Sequence, residues 1–381
     1  MKATTWMLVG IVAAGAPELA AAESLRSTLR NASRTVGIQG GAPFDALANA
    51  IAETAARSLP VVSSSAGVTY EYNPDLEIFE RTSDTLGPIF LERPDTIGRG
   101  KFNVNVSYQY VQFDTYDGDD IDSLGNGAPI LLAGGGGGGA VPLEYRLGLH
   151  SHIVGFSATY GILDDLDVNL LVPLIQTNFD VGVDTGSQHG HDSNDAFGVG
   201  DVLLRAKYRL PDCGALRSAL GLQLRFPSGD KDDFQGTGEF EASPSFYMST
   251  VLWDRLHPHL NAAVDLRPGD VEQSQARYGI GVDADVLTRL GLSLAFLGRS
   301  EFSGSARFRD TAFLHATANG PRPLPLLGVD FDRKDYFDVS FGTRVVVWRD
   351  VILFANVLRR LNDDGLRNDT VIPAVGIEGT F

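Results

Sequence analysis

Alternation of apolar and polar residues dominates the chain from Lys101 to its last residue. In KFNVNVSYQY (101–110), Phe102, Val104, Val106, Tyr108 and Tyr110 fall on one side, and Lys101, Asn103, Asn105, Ser107 and Gln109 on the other. Successive side chains of a strand point to opposite faces, so this stretch is a β-ribbon with one apolar and one polar face. The period returns in DVLLRAKYRL (201–210), where Val202, Leu204, Ala206, Tyr208 and Leu210 oppose Asp201, Leu203, Arg205, Lys207 and Arg209. In 277–286, Tyr278, Ile280, Val282, Ala284 and Val286 oppose Arg277, Gly279, Gly281, Asp283 and Asp285. In 336–347, Phe337, Val339, Phe341, Val345 and Val347 oppose Asp338, Ser340, Gly342 and Arg344. About twelve such strands are predicted, near 101–113, 147–161, 167–179, 198–210, 217–227, 239–252, 258–267, 275–286, 290–300, 334–347, 351–360 and 370–381.

The links between them alternate in length. Short ones (163–166, 211–216, 253–257, 288–289, 348–350) take turns with long polar ones (114–146, 180–197, 228–238, 268–274, 301–333, 361–369). A meander with tight turns at one rim and long loops at the other is the pattern of an outer-membrane barrel. A soluble β-sandwich also alternates, but its solvated face would be rich in Lys, Glu and Thr. Here the polar face carries Asn, Ser, Gln, Gly, Arg and Asp, which can bond to one another across a narrow lumen. Aromatic residues sit near segment ends on the apolar face (Tyr108, Tyr110, Tyr160, Tyr208, Phe226, Phe246, Phe337), as interfacial girdles would. The register is strongly specified. A slip of one residue over 201–210 turns Asp201, Arg205, Lys207 and Arg209 toward lipid, at roughly 2–4 kcal/mol for each basic residue at the midplane. The expected fold is therefore all-β: a transmembrane antiparallel up-and-down β-barrel of about 12 strands, its apolar face against outer-membrane lipid and lipopolysaccharide, preceded by a partly helical N-terminal segment.

That N-terminal part divides in two. Lys2, the apolar run WMLVGIVAAGA (6–16), Pro17 and the small residues Ala20, Ala21 and Ala22 read as a signal peptide over residues 1–22. The run is about half of the roughly 20 residues a spanning helix needs. Residues 23–100 read as a periplasmic or lumenal plug, and 101–381 as the barrel. Within the plug, Phe44, Leu47, Ile51 and Ala55 fall at helical spacing between Pro43 and Pro60, and 68–80 reads as two short ribbons around Asn73-Pro74-Asp75. The stretch 87–100 looks irregular.

The net charge of −17 argues against nucleic acid as a partner, and a single cysteine, Cys213, excludes an internal disulfide. The charges on the inward face are the main functional candidates: Asp201, Arg205, Lys207, Arg209, Arg225, Glu239, Glu241, Asp265, Arg277, Asp283, Asp285, Arg299, Asp338, Arg344 and Glu378. Either they pair with one another and fill the barrel, or they line a pathway gated by the N-terminal segment; the two readings overlap. The acidic runs 114–122 and 230–233 do not fit the spacing of a calcium loop and read as solvated charge. The six-glycine run 134–139 lacks the following Lys-Ser/Thr of a phosphate loop. His189 and His191 offer no third metal ligand. His191-x-Ser193-Asn194 is similar to an element of outer-membrane lipid hydrolases, in which histidine activates serine, but it falls in a predicted loop. No catalytic residue, metal or cofactor is expected.

The stretches LGPIFLERPDTIGRGKFNVNVSYQY (86–110), YGILDDLDVNLLVPLI (160–175), GVGDVLLRAKYRL (198–210) and FPSGDKDDFQGTG (226–238) resemble bacterial outer-membrane proteins of the "meta-pathway of phenol degradation" family. That family is grouped with transporters and is similar in outline to long-chain fatty-acid uptake channels. The resemblance implies a barrel that admits hydrophobic or aromatic small molecules, and it carries over no defined binding residues. The last strand, VIPAVGIEGTF, ends on Phe381 and resembles the signal read by the barrel-assembly machinery. The expected function is an outer-membrane channel for passive uptake of a small-molecule solute. A lipid hydrolase using His191 and Ser193, or a structural or adhesive surface barrel, stands as the alternative.

Overall fold

The computed structural model describes residues 24–37, 55, 63, 70–73, 78–81, 86, 88–123, 129–130, 141–142, 144–253, 255–269, 271–287, 289–317, 320–348, 351–369 and 371–381. The predicted signal peptide and, apart from Ala55, the helix predicted from Phe44 lie outside them, as does the six-glycine run. The wall consists of β1 (Phe102–Phe113), β2 (Glu144–Leu163), β3 (Leu166–Asp184), β4 (His189–Val199), β5 (Val202–Arg209), β6 (Arg217–Phe226), β7 (Glu241–Ser249), β8 (Leu256–Asp265), β9 (Gln275–Leu287), β10 (Leu290–Glu301), β11 (Asp335–Trp348), β12 (Val351–Arg360) and β13 (Ile372–Thr380). Every neighbouring pair is antiparallel. β13 pairs with β1 from Ala374 opposite Gln109 to Thr380 opposite Asn103, and Phe102 and Phe381 exchange backbone hydrogen bonds of 2.8 and 2.7 Å. The sheet is thus a closed cylinder with no free edge along its main wall.

Twelve staves make that cylinder, because β4 and β5 are one stave with a break. Both pair with the same edge of β3: Val199 lies opposite Leu174 and Leu203 opposite Leu171, so the register shifts by one residue at Gly200-Asp201. This corrects one expectation. Residues 180–197 are not a loop; a tight turn at 185–188 sends β4 back along β3, and the β2–β3–β4 wall stands taller than the rest. The sequence hides β4 because HGHDSNDAFGV carries no apolar stripe. A strand standing above the hydrocarbon needs none. The predicted link 301–333 likewise contains a hairpin, Ser305–Thr317 with Gly320–Asp332, and the predicted ribbons near 70–80 pair from Tyr70 opposite Arg81 to Asn73 opposite Ile78.

Outward positions are apolar around the cylinder: Phe156, Tyr160, Leu170, Tyr208, Leu222, Ile280, Leu294, Phe341, Leu353 and Ile377 are all exposed. Their alternates, among them Asn103, Asn105, Ser107, Asn169, Ser243, Asp283 and Glu378, are buried. A greasy outside and a polar inside suit only a closed barrel in lipid, where every backbone group finds its partner in the sheet. No helix among the described residues is long and apolar enough to cross a membrane. The protein is an outer-membrane β-barrel.

One helix, α1 (Leu25–Thr35), lies inside the tall wall, with Leu25, Leu29 and Ala32 as a stripe buried to 1% exposure or less. Eleven residues make a marginal helix in water, so packing holds it. Its first N–H groups are satisfied from far along the chain: Leu25 N donates to Asp233 Oδ1 (3.0 Å) and Arg26 N to the Asp232 carbonyl (2.9 Å). Arg34 occupies the last turn, where a cation suits the helix dipole, and Gly37 leaves it with a φ of 76°.

Candidate functional site: the barrel interior

The interior holds a strap, residues 86–101, that crosses the cylinder without joining its sheet. Pro88 and Pro94 each lack a backbone N–H, which disfavours a regular ladder. The wall supplies the partners instead. Arg344, buried to 2% exposure, donates to the carbonyls of Leu86 (2.9 Å) and Pro88 (2.7 Å) and pairs with Glu378 at 3.1 Å. Asp285 accepts from Leu86 N (3.4 Å). Asn261 accepts from Glu92 N (2.7 Å) and donates to the Glu92 carbonyl (2.8 Å), as a neighbouring strand would. Lys207 donates to the Arg93 carbonyl (3.1 Å), and Asp167 accepts from Ile97 N (2.9 Å). The strap's own charges answer: Glu92 stands 3.9 Å from Arg205 and 3.8 Å from Lys207, and Asp95 3.4 Å from Arg217. Burial pushes the Asp95 carboxyl up, but Arg93 and Arg217 beside it outweigh that and hold it below the ordinary carboxylate range.

Glycines in the wall make room for the strap. Gly279 and Gly281 face Leu91, and Gly161 faces Gly98 so closely that no Cβ would fit. At the short-turn rim Thr96 Oγ1 donates to the Asp164 carbonyl (2.6 Å), Arg99 N to Asp164 Oδ1 (3.2 Å) and Gly100 N to the Gly161 carbonyl (2.8 Å). The chain then turns into β1.

The remaining charges named from the sequence find partners on the wall, some among themselves and some in residues the sequence reading did not name. Arg277 forms a bidentate pair with Asp265 (2.9 Å); Arg225 lies 3.9 Å from Asp201 and 3.5 Å from Glu241; Arg267 bridges Glu239 and Glu241, each at 3.5 Å. Asp283 holds His259 at 2.8 Å and Asp338 holds Arg367 at 2.9 Å. The Arg299 guanidinium lies 3.9 Å above the Tyr336 ring. Asp201 also ties down the loop after β6, accepting from Thr237 N and Oγ1, both at 2.9 Å. Arg209 lies at the short-turn rim with Asp212 (2.7 Å), and its charge also acts on Asp95 of the strap. Sequence reading missed Asn261, Asp167, Arg217, His259, Arg267 and Arg367. Asn261 and His259 share the inward parity of Asp265, so that signal was present; Arg367 lies in a link, where parity gives none.

Between the strap and the β5–β11 wall lies a cavity of about 220 Å³. Arg205, Arg225, Arg277, Arg299 and Arg367 line it, with Glu92, Asp265 and Asp338. Phe90, Tyr247 and Tyr336 add aromatic surface.

The opposite half of the interior differs. At the long-loop ends of β1–β3 the inward residues are Val111, Phe113, Tyr145, Leu147, Leu149, Phe179, Val181 and Val183, all buried and packed with α1. This corrects the expectation of a polar inward face throughout. The inward parity runs on unbroken past Tyr110, but its polarity inverts there: the outer side becomes Tyr110, Gln112, His150 and His152, and apolar residues face the helix. Ser33 Oγ and Tyr145 Oη share a hydrogen bond of 3.1 Å within this greasy layer. The acidic run 230–233 is not simply solvated: Asp232 pairs with Arg26 (3.0 Å) and Asp233 caps α1. Burial pushes the Asp233 carboxyl up, and its bond from Leu25 N partly offsets this.

His191 and Ser193 are exposed on the outer face of β4, and no hydrogen bond joins them among the described residues. No cluster of three or more His, Cys, Asp or Glu side chains able to hold a metal occurs among the described residues.

No curated protein matches the chain. An outer membrane channel from Pseudomonas putida F1 is 14% identical, with 76% of this chain and 98% of that one covered and a TM-score of 0.49. The P. putida toluene transporter TodX is 12% identical, covering 74% and 88% at 0.36, and a Pseudomonas aeruginosa FadL homologue 11%, covering 76% and 92% at 0.35. Over residues 133–278 the sequence matches the family described as "Putative MetA-pathway of phenol degradation".

Proposed function

We propose that the barrel is a channel for passive uptake of small molecules, aromatic or otherwise apolar, and that the N-terminal segment 23–100 is its plug. The observation that carries this is the strap: it fills the interior through side-chain bonds from the wall and makes no strand ladder with it. Such bonds contribute about 0.5–1.5 kcal/mol each, or somewhat more where one partner is charged, so they can be broken singly while the sheet stays closed. A plug hydrogen-bonded through the sheet would cost the barrel itself to move. The aromatic direction follows the family description, which names phenol degradation. Residues 1–22 are the exported leader in this reading, the belt contacts lipid and lipopolysaccharide, and the strand ending at Phe381 is the handle for the barrel-assembly machinery.

Planar-bilayer recording and liposome swelling with the full chain and with Asn261→Ala test it. The variant loses two bonds to Glu92 and is expected to open several times more often, with faster swelling in a small aromatic solute. Both forms staying closed to ions and to every solute while correctly folded removes the channel. A second reading, a structural barrel, draws on the mutual pairing of Asp265 with Arg277 and of Arg344 with Glu378. It requires that same silence.

A further inference from the structure

The cavity beside the strap has a chemical bias that a merely apolar pathway does not need. Five guanidinium groups (Arg205, Arg225, Arg277, Arg299 and Arg367) face it, against the three carboxylates Glu92, Asp265 and Asp338. Asp201 and Glu241 answer Arg225 from behind the lining, but the whole protein carries a net charge of −17, so this cluster of guanidiniums does not echo the composition. The planar, permanently charged guanidinium is the side chain best matched to a carboxylate, which it can grip with two parallel hydrogen bonds. The aromatic surface is placed to complement it. Arg299 already stacks over Tyr336 at 3.9 Å, and Tyr247 and Phe90 lie on the same lining. At about 220 Å³ the space is below the roughly 300–1,000 Å³ of most ligand pockets. That fits one ring with a short acidic substituent and excludes a long acyl chain.

We infer that this cavity is a binding site for a small aromatic carboxylate, the ring on Tyr247 and Phe90 and the carboxylate on the arginines. The inference rests on the channel reading for its place in uptake, but the site itself is a matter of equilibrium binding. Calorimetric titration of the full chain in detergent with benzoate, benzamide and acetate separates the two. Benzoate is expected to bind at one site, and neutral benzamide and ringless acetate about tenfold more weakly or worse, since a hydrogen-bonded charge contact contributes at least that much. Arg299→Gln should weaken benzoate about tenfold and erase its advantage over benzamide, whereas Arg299→Lys keeps part of it. Should Arg299→Gln not fold, Ser245→Asp places a carboxylate on the same lining and removes no ion pair; it should have the same effect. Benzamide binding as well as benzoate, or benzoate indifferent to these variants in folded barrels, overturns the site. Benzoate bound with neither current nor solute swelling, in the full chain and in Asn261→Ala, supports the site and removes the channel. Current without benzoate binding does the reverse.

Discussion

The two halves of the interior are built from one continuous sheet yet obey opposite rules. On the β1–β3 side, near the long-loop rim, the inward residues are aliphatic and aromatic and a helix seals them. On the β5–β11 side the inward residues are ionic and a cavity remains. The difference teaches what fixes the inward composition of such a wall. Where a piece of the chain's own N-terminal segment packs by area, the wall is apolar; where the segment is an extended strap held by its backbone groups, the wall supplies hydrogen-bonding side chains. Neither half is decided by lipid, which sees only the other face.

The charged half should be the more fragile to single substitutions. Arg344→Ala leaves Glu378 buried without its cation and removes two bonds to the strap. A loss of about 3–5 kcal/mol is expected for such a broken pair, read as a lower urea midpoint for the whole barrel. The apolar half should fail locally instead. Leu29→Ala removes a side chain 1% exposed within the helix stripe and should cost the docking of α1 about 2–4 kcal/mol. Trypsin would then cut at Arg26 or Arg30 while the barrel stays folded; unchanged resistance to trypsin would show that the packing of α1 is not what holds it. Acid sharpens the contrast. Asp95 titrates below its ordinary value, so its contribution to strap anchoring is present at neutral pH and is lost only as pH falls below ~4. Asp233 shifts the other way: its folded value is raised, so α1 docking strengthens as pH falls into the carboxylate range and weakens as pH rises through it. Open probability rising at low pH while the α1 amides stay protected from hydrogen exchange is the expected pairing. The smallest effect concerns orientation: exposed Cys213, at the short-turn rim, should react with an impermeant maleimide only after the outer membrane is breached.

The cylinder was legible because lipid enforces a strict binary code. A charge on the wrong parity is costly, so segments such as 201–210 announce both strand and face. The code lapses where lipid does. β4 stands clear of the hydrocarbon and reads as a loop, and the inversion at Tyr110 marks the same boundary on β1. Helix α1 escaped notice because its cap, Asp233, comes from a loop 208 residues away and its own Ser24 supplies no side-chain cap bond. Of the interior, parity identified which charges turn inward but not their partners. Pairings such as Arg344 to the carbonyls of Leu86 and Pro88 depend on an irregular strap with no periodicity of its own. The exposed His191–Ser193 pair shows the opposite hazard: a four-residue motif survives in sequence without any geometry behind it.

The contacts of α1 with the loop at 230–233 place it near one mouth of the cylinder, and the strap leaves at the other, beside Gly161. The staves that meet at the seam, β1 and β13, are those nearest to and farthest from that strap in the chain. The protein is therefore threaded through itself, and the strap runs directly into the stave whose Phe102 meets Phe381 at the seam.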